Sequence, residues 1–378
     1  MAAMKRIVIF CDGTWNAAAA ANPTNVVRIA QALAPVDTDD IQQVPIYVPG
    51  VGTGRRGVTP VGRWTDRVLG GALGLGFAAN IVEAYEALVF MHEPRDEVFV
   101  FGFSRGAYAA WTLAVFLRLV GLLGRGDLHR LDEVVAWWRA HSRGRQSPDT
   151  PEAMARRFAF SPQVTTGPED AAFWAAQGVP EAEPLNMRYL GLFDTVASLG
   201  VSWLVNRRDM PSDTRLPDFV GLCRHALALD ERRATLRPTV LSPAQGHDDR
   251  LEQLWFAGEH GAVGGGGRLD GMSSIPLSWM IEGAERQGLY FDSHLPEEYA
   301  RRHAPLSSVY DSEPPRGGLP SAILRRAGPD RVGPDWPDAV APSAVTRWTD
   351  LRPRWRPGSL RRVARDLPEG PDDPSAET

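Results

Sequence analysis

The sequence predicts an α/β fold in which helices cover both faces of a mostly parallel central sheet. Short apolar runs at 6–10, 44–49 and 97–103 are rich in β-branched and aromatic residues, as buried strands are. Segments with apolar residues at helical spacing, 17–34 and 71–91, lie between these runs. Parallel strands need a crossover connection, so alternation of strand and helix indicates a parallel sheet.

The later parts of the chain continue this pattern. A helix is expected from Arg105 to Leu123, and strand-then-turn patterns follow at 186–200 and 251–267. The segment 274–289 has the spacing of an amphipathic helix. Helical patterns in the middle of the chain, within 127–180, indicate an insertion between two strands of the sheet.

Composition and charge exclude several classes of protein. The 378 residues are 43% hydrophobic and 23% charged, with a net charge of −5, which argues against a nucleic-acid partner. Two cysteines, Cys11 and Cys223, suit neither a disulfide framework nor a zinc site. The N-terminus lacks a signal-peptide pattern, and no apolar run reaches the ~18–20 residues of a membrane span. We therefore expect a cytoplasmic protein, with any export through a signal-less secretion system.

A serine lies between two glycines where the strand 97–103 ends. The pentapeptide Gly102-Phe103-Ser104-Arg105-Gly106 has the Gly-x-Ser-x-Gly pattern of a nucleophile elbow, which characterises α/β-hydrolase folds. The glycines are needed because side chains there would collide with the neighbouring strand and helix. A serine that only caps the following helix is the alternative.

An elbow serine also needs donors for the oxyanion of the tetrahedral intermediate. The amide of Arg105 follows the nucleophile at a helix N-terminus, where one donor is expected. The second donor is expected in the loop after an early strand, which here gives Gly13 or Thr14.

A neutral serine is a poor nucleophile, so a histidine and an acid should follow Ser104 in chain order. Of the eight histidines, His260 fits best because it follows an apolar run and precedes a glycine run. His225 and His247 remain alternatives. A half-buried histidine with a structural role is the other interpretation of His260.

Asp194 is the preferred acid because it follows a strand pattern and lies between Ser104 and His260 in the sequence. Asp230 competes with it, in a more charged segment with helical character. An aspartate that only closes the strand in a turn is the structural alternative for Asp194.

Two other motifs match less well. The start "IVIFCDGT" resembles phosphatases of the haloacid-dehalogenase type, but Phe10 occupies the position of their nucleophilic aspartate. Gly52, Gly54 and Gly57 have the spacing of a dinucleotide-binding loop, yet Pro60 interrupts the helix that should follow.

Several ordered segments together resemble the α/β-hydrolase domain family whose best-known members are type VI secretion phospholipase effectors. The matching segments are "IVIFCDGTWN", "NPTNVVRI", "YVPGVGTG", "NIVEAYEAL", "VFVFGFSRGAYAA", "YLGLFDTVASLG", "HALALDERR", "LWFAGEHGAVGGG" and "PLSWMIEGA". The resemblance implies a serine hydrolase of ester bonds with Ser104 as nucleophile, Asp194 as orienting acid and His260 as base. The family's segment after the histidine usually carries an aspartate where this chain has Ala262, so we expect the histidine loop to be held differently.

The domain hypothesis follows from these patterns. A catalytic domain is expected at 4–312, with a helical insertion at about 125–185 that covers the site as a cap. An extension at 313–365 should pack on it, followed by a disordered tail at 366–378.

The expected substrate is a lipid or phospholipid ester, with peripheral membrane contact open. No metal or organic cofactor is expected. A small soluble ester is the alternative substrate, and a catalytically degenerate binding or toxin-scaffold protein is the alternative function. A secretion or immunity partner cannot be read from the sequence.

Overall fold

The structure is a computed structural model of the chain. It describes residues 4–13, 16, 18–50, 75–141, 147–197, 214–243, 249–292, 294–309, 328–351 and 354–369. The predictions for Thr14, His247 and the glycine-rich loop at 52–57 lie outside these residues.

A six-stranded parallel sheet forms the centre of the molecule, which confirms the predicted fold class. The strands of the described residues are β1 (Lys5–Cys11), β2 (Gln42–Val48), β3 (Glu97–Phe103), β4 (Val164–Thr165), β5 (Glu183–Pro184), β6 (Asn186–Phe193), β7 (Val220–Ala228) and β8 (Leu251–Phe256). The main sheet has the order β2-β1-β3-β6-β7-β8 with every neighbouring pair parallel. Strands β4 and β5 pair separately.

Helices pack on both faces of this sheet. Those of the described residues are α1 (Asn25–Ala32), α2 (Leu75–Met91), α3 (Arg105–Val120), α4 (Leu131–His141), α5 (Pro151–Phe160), α6 (Pro168–Ala176), α7 (His260–Gly264), α8 (Asp270–Arg286), α9 (His294–Arg301) and α10 (Pro342–Asp350). Short 3₁₀ helices lie at Arg125–Arg130, Ala234–Leu236, Pro337–Ala339 and Gly358–Leu360.

Strand β1 shows how the sequence divides the core into two parts. Ile7 and Ile9 belong to the apolar cluster that also contains α2 and α3, whereas Val8 and Phe10 belong to the cluster with α1 and α8. Successive side chains of a strand point to opposite faces, so a continuous apolar run supplies both cores. Burial of each such side chain contributes roughly 1.5–3 kcal/mol.

The first predicted helix begins later than expected. The spacing predicts residues 17–34, whereas α1 begins at Asn25 because the Thr24 side chain accepts a hydrogen bond from the Val27 amide (3.3 Å) and caps the helix. The α8 helix, in contrast, begins earlier than predicted, at Asp270 rather than 274.

Strand β7 is a correction to the predicted organisation. The segment around Asp230 is expected to have helical character, but Val220–Ala228, directly before it, is a buried strand, the fifth in the order of the six-stranded sheet. Its polar residues interrupt the apolar pattern that predicts a buried strand. One of them, Arg224, pairs with Glu252 on the neighbouring strand.

The inserted segment lies at the far end of α3 from Ser104. The ring of Trp138 contacts that of Phe116 at 5.5 Å between centroids. Arg157 Nη1 and Thr166 Oγ1 donate to the carbonyl of Arg118 at 3.1 and 3.3 Å. With a rise of about 1.5 Å per residue, these contacts lie about 18 Å or more along the helix from Ser104. That position differs from the cap over the serine that the sequence predicts.

The C-terminal segment, described at 328–351 and 354–369, packs against the end of the sheet that carries β8. Trp255 on β8 forms a bridge with Val340, and Trp355, Leu360 and Leu367 are buried in the core cluster of α1 and α8. Leu367 belongs to the tail predicted at 366–378, of which 370–378 are outside the described residues.

No single helix in the described part of the chain has the length and apolarity to cross a bilayer. Helix α3 and the helical stretch Arg125–His141 meet that test as a pair bent by 98°, by length and composition only.

Candidate active site

The three predicted triad residues lie at one edge of the sheet. Ser104 follows β3, Asp194 follows β6, and His260 begins α7 shortly after β8. Because the strands are parallel, their carboxyl ends meet at the same edge, which is where open α/β sheets bind ligands. The Ser104 amide donates to the carbonyl of Phe193 at 2.9 Å, so the serine lies directly beside the residue before Asp194.

Ser104 has the strained backbone of a nucleophile elbow. Its φ of 59° and ψ of −121° are unusual for a residue with a side chain, and such strain costs about 1–3 kcal/mol. A Cβ atom on Gly102 would lie 2.5 Å from Ala107 Cα, and one on Gly106 would lie 2.1 Å from the carbonyl oxygen of Cys11. The Ser104 side chain makes no capping hydrogen bond to α3, which argues against the capping alternative.

Asp194 and His260 are joined directly. His260 Nδ1 lies 2.5 Å from Asp194 Oδ2, and the Asp194 side chain is fully buried. Asp194 itself has a positive φ of 41°, a second strained residue at this edge. An Nδ1–H that donates to a carboxylate leaves Nε2 as the basic nitrogen of the neutral ring.

Phe103 connects the serine to the histidine. Its ring packs against that of His260 with 4.6 Å between centroids. A Cβ atom on Gly264 would lie 2.0 Å from the Phe103 ring, so glycine at position 264 is required for the contact. The structure records no hydrogen bond from the Ser104 hydroxyl to a described residue, and catalytic hydrogen bonds are often long before substrate binds.

A buried arginine completes the surroundings of Asp194. Arg331 Nη1 and Nη2 lie 2.6 and 2.9 Å from Asp194 Oδ1 and Oδ2, and the Ala228 amide also donates to Oδ1 at 3.0 Å. Burial alone raises the pKa of the Asp194 carboxyl, but Arg331 and His260 outweigh burial and hold that pKa well below its usual range. Asp194 therefore remains a carboxylate.

The loop that carries His260 is held by two carboxylates after β7. Asp230 Oδ2 accepts a hydrogen bond from the Gly258 amide at 2.6 Å, and Glu231 Oε2 accepts one from the His260 amide at 3.2 Å. Ala262 is fully buried, and a Cβ atom on Gly258 would lie 2.4 Å from the Cβ atom of Ala262. In this structure, Asp230 and Glu231 hold the histidine loop through two of its backbone amides.

The competing residues have other contacts. Asp230 also accepts a hydrogen bond from Trp355 Nε1 at 2.9 Å, and burial raises the pKa of its carboxyl. His225 Nδ1 lies 2.9 Å from Gln253 Oε1, and burial lowers the pKa of the His225 ring to about 4. Asp194 and His260 are thus the acid and ring that the structure brings together.

The predicted oxyanion loop is anchored by Asp12. The Gly13 amide donates to Asp12 Oδ1 at 2.7 Å, and the hydroxyls of Thr24 and Tyr47 donate to Asp12 at 2.9 and 2.6 Å. Burial raises the pKa of the Asp12 carboxyl, and these hydrogen bonds offset only part of that effect. The Gly13 amide is therefore already engaged, whereas Thr14 lies outside the described residues.

The described residues contain no group of three or more His, Cys, Asp or Glu side chains that could hold a metal ion. The arrangement at the edge offers a hydroxyl, a buried Asp–His pair and a helix N-terminus, which are the components of nucleophilic acyl transfer.

A comparison with protein families identifies the catalytic domain. The family described as "T6SS, Phospholipase effector Tle1-like, catalytic domain" matches residues 5–283. The chain belongs to this family. The family is named for phospholipase effectors, and the matched residues include the six strands of the main sheet and the three predicted triad residues.

Individual relatives are more distant. Uncharacterized protein YEL023C of Saccharomyces cerevisiae is 27% identical over 246 residues, which are 63% of this chain and 33% of that protein. A structure of the Tle1 effector bound to the VgrG spike of the type 6 secretion system has 21% identity and a TM-score of 0.38, covering 71% of this chain and 53% of that one. An uncharacterized protein from Pseudomonas aeruginosa has 16% identity and a TM-score of 0.41, covering 99% and 61%. This chain thus spans between one third and two thirds of the length of these proteins.

Sequence reasoning missed several supporting residues of the Tle1-like site. Asp12 has a recognisable signal, since it is a charged residue directly after a buried strand at the carboxyl edge of the sheet. Glu231 lies within a segment that was expected to have helical character. Arg331 has no local signal, because it lies in a proline- and glycine-rich segment 137 residues from Asp194.

Proposed function

We propose that the chain is a serine hydrolase that cleaves carboxylic ester bonds of phospholipids with Ser104, His260 and Asp194 as catalytic triad. The observation that carries this proposal is the 2.5 Å contact of His260 Nδ1 with buried Asp194, at the sheet edge where Ser104 has its strained backbone. A fold kept only for binding has no need of a strained serine beside an ordered acid–histidine pair.

The reaction follows from these positions. Ser104 Oγ attacks the ester carbonyl while His260 Nε2 takes its proton, and Asp194 holds the ring in the required tautomer. The amide of Arg105, at the N-terminus of α3, donates to the oxyanion, and Thr14 is the proposed second donor. The tetrahedral intermediate collapses as His260 protonates the leaving alcohol. Water, activated by His260, then releases the fatty acid and regenerates the serine.

The side chain of Arg105 supports a phosphate-containing substrate. Among the buried and half-buried arginines of the described residues, every other one has a hydrogen bond, an ion pair or a ring contact, whereas Arg105 has none. Burial lowers the pKa of the Arg105 guanidinium to about 10, so it stays charged at neutral pH. Arginine binds phosphate through two parallel hydrogen bonds, and Arg105 adjoins the nucleophile in the chain.

Labelling with a fluorophosphonate probe tests the proposal. Wild type should be labelled and should cleave long-chain phospholipid, while Ser104→Ala should lose labelling and about 10⁴-fold or more of the rate. The exposed Ser147→Ala is the matched control and should be labelled like wild type. Cleavage of short esters alone would favour a small-ester esterase. No labelling of folded wild type would favour the degenerate binding protein.

A further inference from the structure

We propose that Arg331 is a positioning residue of this site: it fixes the Asp194 carboxylate against His260 and offsets the charge of that carboxylate. The inference rests on the proposed function of the same triad. It assigns a role to a residue of the C-terminal segment, which lies outside the part of the chain that matches the family, residues 5–283.

The contact is two-pronged. Nη1 and Nη2 of Arg331 each meet one oxygen of Asp194, at 2.6 and 2.9 Å. Such a planar fork restrains rotation of the carboxylate, which a single donor cannot do. Oδ2, the oxygen that meets His260, is therefore held in the direction that the imidazole requires.

Arg331 is itself held rigidly. Its Nη1 donates to the carbonyl of Ala228 at 3.0 Å and its Nη2 to that of Leu236 at 2.5 Å. The segment that carries it is joined to the end of β7 at a further point, where Ser359 Oγ donates to the carbonyl of Leu229 at 2.8 Å. A guanidinium with fixed partners on two sides transmits its position to the carboxylate.

The electrostatic effect of Arg331 on Asp194 is strong because both side chains are buried. The side chains of Arg331 and Asp194 are 4% and 0% exposed, so solvent screens their charges weakly. An unopposed Asp194 anion would stabilise the protonated His260 ring, and the guanidinium cancels part of that stabilisation. Removing the positive charge should therefore let the ring keep its proton to higher pH.

Other charged groups near His260 act on the ring equally in wild type and in a protein with Arg331 replaced. Glu231 accepts a hydrogen bond from the His260 amide and is paired with Arg233. Glu259 precedes the histidine, and Asp230 holds the same loop through Gly258. None of these groups changes when Arg331 is replaced, so the comparison isolates the guanidinium.

The experiment is an NMR titration of the His260 imidazole in the full chain, with the resonance assigned by His260→Gln. In Arg331→Met the titration midpoint should rise by about one pH unit, and the acidic limb of kcat/KM should move upward by the same amount. Arg331→Lys keeps the charge, so its titration midpoint should lie close to that of wild type. Arg224→Met is the matched control, since Arg224 is also buried (3% side-chain exposure) and paired with carboxylates, and its midpoint should equal that of wild type.

An unshifted midpoint in Arg331→Met, or an equal shift in Arg224→Met, would overturn the inference. If Arg331→Met does not fold, Arg331→Lys decides: loss of the two-pronged hold should lower kcat at least about threefold with KM unchanged. A wild-type kcat would then contradict positioning. A shifted titration in a protein that the probe never labels would refute the proposed function while supporting the inference. Labelling of wild type with no shift would do the reverse.

Discussion

Two buried aspartate–arginine pairs of the described residues, one in the inserted segment and one at the carboxyl edge of the sheet, differ in their other contacts. In the inserted segment, Arg157 meets Asp170 through Nε and Nη2, with both side chains fully buried. At the carboxyl edge of the sheet, Arg331 also meets both oxygens of Asp194, but through its two terminal nitrogens, Nη1 and Nη2. Only the second carboxylate also contacts a histidine, His260.

The remaining contacts of the two aspartates explain the difference. Asp170 Oδ2 accepts hydrogen bonds from the amides of Thr166 and Gly167 at 2.8 and 3.0 Å, and its backbone is helical. Apart from the contact with Arg157, these hydrogen bonds close the turn at the start of α6. Asp194 has a positive φ, and one of its hydrogen bonds is to the titratable ring of His260. We therefore expect the Arg157–Asp170 pair to stabilise the fold and the Arg331–Asp194 pair to orient the histidine of the proposed triad.

The largest expected effect tests this contrast directly. Asp194→Asn should lower kcat by about 10⁴-fold, because an amide favours the wrong tautomer of His260. Asp170→Asn should leave the kcat of the folded protein near wild type and lower the free energy of unfolding by about 3–5 kcal/mol, because Arg157 becomes a buried unpaired charge. Ester hydrolysis and chemical denaturation measure the two quantities.

Asp194→Asn also leaves a buried arginine unpaired, so a loss of stability alone would not distinguish the two variants. The discriminating quantity is the rate per folded molecule. A rate loss in Asp170→Asn as large as that in Asp194→Asn would show that the two pairs do not differ in function.

The limits of sequence reasoning follow from the same residues. The elbow at Ser104 is readable because backbone crowding demands glycine at 102 and 106, and crowding is a local property. Asp194 could be preferred to Asp230 only through chain order and strand patterns. Arg331 could not be found, since its pairing depends on how the C-terminal segment returns to β7. The position of the insertion was missed for the same reason: its helices are readable, but the end of α3 on which they pack is not.

A second titratable ring near Asp194 allows a smaller test. Burial lowers the pKa of His225 from 6.5 to about 4, so the folded protein disfavours its protonation. The stability from its neutral form is complete above about pH 6.5 and is lost as pH falls toward 4, which amounts to about 3 kcal/mol over that range. His225→Gln should therefore show a flatter decline in the free energy of unfolding between pH 7 and pH 4.

The exposed His129 offers the control, because His129→Gln should leave the slope of that decline unchanged. An equally steep decline in His225→Gln and wild type between pH 7 and pH 4 would assign the acid sensitivity in that range to groups other than His225. The Asp194 carboxyl acts at lower pH. The depressed pKa of Asp194 stabilises the fold above its unfolded-state pKa, and this contribution is lost as pH falls below about 4.

The smallest expected effect concerns Arg105, whose side chain, unlike those of Arg157 and Arg331, has no partner among the described residues. If Arg105 binds the substrate phosphate, Arg105→Gln should lower the ratio of kcat/KM on phosphatidylglycerol to that on diacylglycerol of the same chains by about tenfold, the value of one charge-assisted contact. Arg105→Lys should recover part of the ratio, because an ammonium keeps the charge without the planar fork. The ratio cancels effects on the elbow and on folding, which lower both rates together. An unchanged ratio would show that the unpaired guanidinium does not read the phosphate, and the preference for phospholipid would need another source.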